Sequence, residues 1–180
     1  MHDTFQLQRA LKRDEHTEKF DPEVIAADGV LPLVKETPNR YLIIGNTDPK
    51  GFPGTHWVLF FRRSSSHPPI FFDSYGKNPS YYYPGWMFFD SHRRSKEDFQ
   101  QEDTTVCGDF CLYVARRVAA RYSLQTVLES FQPEDQKHND EMVFSLVHRR
   151  FKFLNKTGHG RVVKKQYIQN CQVCRARKIS

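Results

Sequence analysis

At 180 residues the chain has the length of one domain with a sizeable core, and no apolar run is long enough to span a bilayer. The first stretch is charged throughout, which excludes a signal peptide by composition; four cysteines without such a signal argue against a disulfide framework and for a reducing, intracellular compartment. The net charge is +6, but ten of the 27 Lys and Arg follow Glu141, where no acid occurs, so the first 141 residues carry 17 bases against 21 acids and are net −4.

Phe5 to Lys19 mixes charge with scattered apolar positions and predicts a short N-terminal helix. Val24 to Val34 contains the turn signal Asp28-Gly29 and the breaker Pro32, and reads as a loop or short helix laid over the core. Tyr41-Leu42-Ile43-Ile44 has the composition of a buried strand, and Pro49, Gly51, Pro53 and Gly54 mark the loop after it. Trp57 to Phe61 and Ile70-Phe71-Phe72, joined through Arg62-Arg63 and three serines, predict an antiparallel pair of strands. Tyr81 to Phe89 is an irregular aromatic stretch interrupted by Pro84 and Gly85. From Cys107 to Tyr122 the apolar period becomes helical, at Cys111, Val114, Ala115, Val118 and Tyr122. Leu124 to Phe131 and Asn139 to Phe151 predict two further helices.

Four residues carry chemistry. Cys107, followed by Gly108, opens the predicted helix, and a helix start beside an imidazole is the setting in which a thiol is activated as a nucleophile. A cysteine can also be a small buried hydrophobe, the role that fits Cys111. His56, where a glycine-rich loop runs into a strand, is placed to act as a base, and the strand pairing brings Asp73 beside it as the orienting carboxylate. Asp90, in the near-duplicate Phe88-Phe89-Asp90-Ser91, is a rival that no strand pairing places near His56. Gln100 or Gln101 can offer an uncharged donor to an oxyanion.

The block Asn46-Thr47-Asp48 … Gly54-Thr55-His56-Trp57, then Phe72-Asp73-Ser74-Tyr75-Gly76, then Gln100 … Cys107-Gly108-Asp109-Phe110-Cys111, resembles the adenovirus protease (adenain) family. Within that family it is most similar to proteases of related viruses and Polinton/Maverick-type elements. The separations of 17 residues from His56 to Asp73 and seven from Gln100 to Cys107 match the family layout and select Gln100, although the wider clan would allow Gln101. The likeness covers about residues 20 to 153 and includes Val24 to Pro32 and Asn139 to Val143. It implies an α+β fold with a small mixed or antiparallel sheet packed against helices, of the adenain or ubiquitin-like-protease type. It implies thioester hydrolysis of peptide bonds after Gly-containing sites by Cys107, His56, Asp73 and Gln100, in the maturation of virion precursors in the host nucleus or virion. Two departures accompany it: Asp73 stands where adenovirus enzymes carry Glu, and no cysteine near Phe89 corresponds to the one that joins an activating peptide.

The expected organisation is a protease domain over 1–153 and a basic extension over 154–180, in a monomer that needs no cofactor for its chemistry. Arg149, Arg150, Lys152, Lys156, Arg161, Lys164, Lys165, Arg175, Arg177 and Lys178 suggest non-specific DNA as a partner and possible activator, against a merely solvated basic end. Cys171-Gln172-Val173-Cys174 supplies two of the four ligands a structural zinc needs, with His148 and His159 at irregular spacing, so no metal is expected there. Two other readings of the whole are an isopeptidase acting on a ubiquitin-like modifier and a basic DNA-binding module on an inactive protease core.

Overall fold

In the computed structural model, which describes residues 2–86 and 92–157, the three apolar runs form the centre of a five-stranded sheet. Its strands are β1 (Glu23–Ile25), β2 (Tyr41–Asn46), β3 (Trp57–Arg62), β4 (Ile70–Phe72) and β5 (Arg93–Arg94), in spatial order 1-2-3-4-5. The central pairs β2–β3 and β3–β4 are antiparallel, while β1 and β5 join the edges in parallel, which makes the sheet mixed. Six α-helices surround it: α1 (Thr4–Arg13), α2 (Ala27–Glu36), α3 (Pro79–Tyr82), α4 (Cys107–Ala119), α5 (Leu124–Leu128) and α6 (Gln136–Arg150).

Both faces of the sheet are covered, which explains why β2 and β3 read as continuous apolar runs rather than alternating ones. Leu42, Ile44, Trp57, Leu59, Phe61 and Phe72 face α1, α4, α5 and α6 in the larger core. Tyr41, Ile43, Val58, Phe60 and Phe71 face Val30 and Val34 of α2, with Tyr83 and Trp86, in the smaller one. Helix α4 runs through the larger core with its first nine residues buried, so its sequence shows little polar face until Arg116 and Arg117. The Arg63 guanidinium donates to the carbonyls of Val118 and Ala119, placing a cation on the negative end of this helix.

The segment 24–34 departs from the loop or short helix expected. It forms β1 and then the ten-residue α2, with Pro32 inside the helix. The N–H that proline lacks costs one helical hydrogen bond, and burial of Val30 and Val34 against the sheet outweighs that loss. The N-terminal helix is shorter than predicted, ending at Arg13; a capping box of Asp3 and Gln6 starts it, and Leu7, Ala10 and Leu11 bury its inner face. At the other end the chain stays on the core one residue beyond the expected boundary at 153, since Leu154 is fully buried within the 3-10 turn Lys152–Thr157. No helix among the described residues is long and apolar enough to cross a membrane.

Candidate active site

His56 immediately precedes β3 and Asp73 immediately follows β4. The register Leu59↔Phe72 and Phe61↔Ile70 therefore carries the two toward each other at the same end of the sheet. His56 Nε2 donates to Asp73 Oδ1 at 2.6 Å, and the pair is completely buried. The Cys107 thiol, at the first position of α4, hydrogen-bonds the same imidazole. With Nε2 turned to the carboxylate, Nδ1 is the ring nitrogen left for sulfur. Asp73, His56 and Cys107 thus lie together at this end of the sheet, and Asp90 lies outside the described residues.

Each part is held by neighbours. Asp73 Oδ1 also accepts from the Tyr75 backbone N–H at 3.1 Å, and Oδ2 accepts from the Lys77 N–H at 2.8 Å and the Tyr82 hydroxyl at 2.9 Å. Ser95 Oγ bridges the Asp73 backbone, accepting from its N–H and donating to its carbonyl. The turn that aims these donors needs Gly76, whose φ is +66° and whose place would put a Cβ 2.7 Å from the carbonyl oxygens of Lys96 and Glu97. The rings of Tyr75 and Tyr82 pack against His56 at centroid distances of 4.8 and 5.7 Å, fixing the plane of the imidazole.

The electrostatics follow from this. Burial, the largest single influence on His56, disfavours its charged form. The Asp73 charge, the Asp73 and Cys107 hydrogen bonds and the Cys107 sulfur together outweigh burial and raise the ring to about 10. Burial likewise opposes ionisation of Asp73, yet the imidazole charge, its hydrogen bond and the two backbone N–H groups hold the carboxyl below its usual range. The arrangement favours the protonated imidazole of His56.

Gln100 is buried and tied to the same end of the sheet. Its N–H donates to the Ser74 carbonyl, its Oε1 accepts from Ser74 Oγ at 2.7 Å, and its Nε2 donates to the carbonyl and hydroxyl of Thr104 at 3.2 and 3.3 Å. Thr104 in turn donates to Asp140 Oδ2 at 2.8 Å, and burial pushes Asp140 up to about 7. Gln101 is half-exposed and has no comparable anchoring of its side chain among the bonds recorded for the described residues. Asn139, fully buried in α6, donates to the Phe99 carbonyl at 3.1 Å and braces the segment before Gln100.

Several supporting residues had weak signals in sequence. Asn78-Pro79, an N-cap followed by proline at the first helical position, marks the start of α3 and so the placement of Tyr82. Ser74, Ser95 and Thr104 carry no local pattern that would single them out. Trp57 fills core, and its Nε1 donates to the His2 carbonyl at 3.1 Å. Cys111 is buried, with Sγ 3.4 Å from the Trp57 carbonyl, in the structural role expected of it. His148 is buried in α6 against Asp109, while His159, Cys171 and Cys174 lie outside the described residues. In comparison with known proteins, the chain matches no family model, and no curated protein shows significant sequence similarity to it.

Proposed function

We propose that the protein is a cysteine endopeptidase of the adenain type, in which Cys107 attacks the scissile carbonyl, His56 takes and later returns the proton, and Asp73 orients the ring. The observation that carries this reading is the buried Asp73–His56–Cys107 cluster, with Nε2 held at 2.6 Å by the carboxylate and the thiol on the same imidazole. Sulfur adds to the carbonyl carbon and the C–N bond breaks as His56 protonates the leaving amine; water, deprotonated by His56, then hydrolyses the thioester. The N–H of Cys107, at a helix start where no intrahelical partner exists, and Nε2 of Gln100 receive the oxyanion.

Cys107 is 3% exposed and His56 1%, and a sulfur so deeply set would be reached best by a slender stretch of substrate. That favours glycine beside the cleaved bond, and with it the processing of virion-type precursors in a host nucleus or virion. The same narrowness favours a Gly-Gly tail of a ubiquitin-like modifier as the alternative substrate. Incubation with a library of Gly-containing peptides, beside a modifier fused at its C-terminus to a reporter, tests the reading. Cleavage of neither, with Cys107 still unreactive to a vinyl-sulfone probe, would overturn it.

Gln100→Ala is expected to lower kcat by about a hundredfold with little change in KM, the scale of one oxyanion donor. The loss appearing instead in Gln101→Ala would move the oxyanion site to the neighbouring residue.

Non-specific DNA is proposed as the partner of the basic C-terminal residues. Arg150 is already engaged, donating to Asp14 and to Glu15 at 3.3 and 3.1 Å, and contributes little to phosphate binding. Because Leu154 belongs to the core, the informative truncation falls after Thr157; it removes six of the ten bases and spares the fold. Log K for duplex DNA should fall linearly with log salt by about 0.9 per phosphate neutralised, and truncation should flatten that slope by roughly 3 if half of the removed charges bind. An unchanged slope would reduce the tail to a solvated end.

A further inference from the structure

Two residues after the nucleophile, the chain buries a second constellation that the peptidase chemistry does not use. Asp109 in the first turn of α4, His148 in the last turn of α6 and His2 ahead of α1 converge from three separate elements, and each is at most 4% exposed. Asp109 Oδ1 is 2.9 Å from His2 Nε2 and 3.1 Å from His148 Nε2, and the three donor atoms all lie within 4.8 Å of one another. The two imidazoles are the only ion-pair partners of Asp109 among the described residues; no Lys or Arg reaches it. Phe144 stacks on the His148 ring at 4.0 Å and fixes its direction.

We propose that His2, Asp109 and His148 form a binding site for a divalent transition-metal ion of the zinc class. Once the protons that bridge Nε2 to Oδ1 give way to an ion, the two imidazoles and the carboxylate would offer three lone pairs and a single negative charge in a buried space. That combination suits zinc or cobalt, whereas calcium and magnesium favour sites built wholly of oxygen. Donors around a tetrahedral ion at about 2.0–2.1 Å lie roughly 3.3–3.4 Å apart. The two Nε2–Oδ1 distances fall a few tenths of an ångström short of that separation and the third edge lies within 4.8 Å, so coordination needs an adjustment of the three side chains. No fourth His, Cys, Asp or Glu joins them among the described residues, so the remaining position is left to a water molecule.

The ion would clamp the N-terminal segment onto the start of the nucleophile helix. His2 already packs there: a Cβ on Gly108 would come within 3.4 Å of its ring, and its carbonyl accepts from Trp57. With three side-chain donors the site is more open than a four-ligand structural zinc, and its occupancy would set how firmly the residues beside Cys107 are held.

The test uses untagged full-length protein carrying Cys107→Ala, Cys171→Ser and Cys174→Ser, which removes the thiols able to compete for metal and makes the result independent of peptidase activity. Dialysis against micromolar Co2+ should leave one cobalt per chain, with the visible bands of a four-coordinate site, no sulfur charge-transfer band and a raised Tm. His2→Ala and His148→Ala should each weaken binding by more than about 100-fold, beyond the roughly 10- to 100-fold cost of losing a residue that only orients a ligand. His2 lies outside every helix, so its replacement leaves α4 and α6 in place, and His2→Cys should restore the ion together with a sulfur charge-transfer band. Absence of cobalt in the parent, or retention of the full equivalent in His2→Ala, would overturn the proposal.

Discussion

Cys107→Ala is expected to abolish hydrolysis of Gly-containing peptides, a loss on the order of 10⁶-fold, which is the scale seen when the nucleophile of a comparable triad is removed. On the proposed reading the effect would be large because the other parts would act only through sulfur: without it His56 would have no thiol proton to move, and the oxyanion donors no intermediate to hold. The fold should survive, since the change removes one atom from a residue at the edge of the larger core. Mass spectrometry after treatment with a vinyl-sulfone probe gives an independent reading. With Cys171 and Cys174 replaced by Ser, one adduct should form on Cys107 and none on Cys111, which is buried and turned to the Trp57 carbonyl. His56→Ala should lose cleavage to a similar extent while its thiol remains present. Hydrolysis persisting in Cys107→Ala would remove the assigned nucleophile.

Asp73→Asn is expected to lower the rate by about 10⁴-fold, less completely than loss of the nucleophile, because the carboxylate orients the ring and stabilises its charge without taking the proton itself. The amide cannot satisfy the site. If its oxygen serves His56 and the Tyr75 N–H, its nitrogen faces the Lys77 N–H, which is also a donor, and the Tyr82 hydroxyl would have to turn round to accept from it. A stability change with a definite pH dependence should accompany the loss. His56 binds its proton more tightly folded than unfolded, so the pair's contribution is fully present below about pH 6.5 and fades as pH rises through about 10. Asp73 is held below its ordinary range, so the same contribution is present above about pH 3.9 and is lost as pH falls through the depressed folded value. The Tm difference between the parent and Asp73→Asn should therefore be widest between about pH 4 and 6.5 and narrow on either side. A difference independent of pH, or undiminished cleavage, would mean that Asp73 does not serve His56 as described.

What the sequence determined by itself was local. The apolar runs of β2, β3 and β4 and the helical period from Cys107 report which side chains leave water, and that pattern follows from backbone geometry alone. The short spacing from His56 to Asp73 was legible for the same reason: two paired strands joined by one turn leave few ways to place their ends. The tertiary structure alone decided the rest. Glu23–Ile25 is a strand because β2 offers it an edge, and two-residue β5 exists because β4 does. Pro32 stays helical because the sheet buries its neighbours. Gln100 is anchored by Ser74, 26 residues away, and Asp109 meets His2 from 107 residues away. Contacts of that separation depend on how layers pack, and no period or propensity along the chain encodes them.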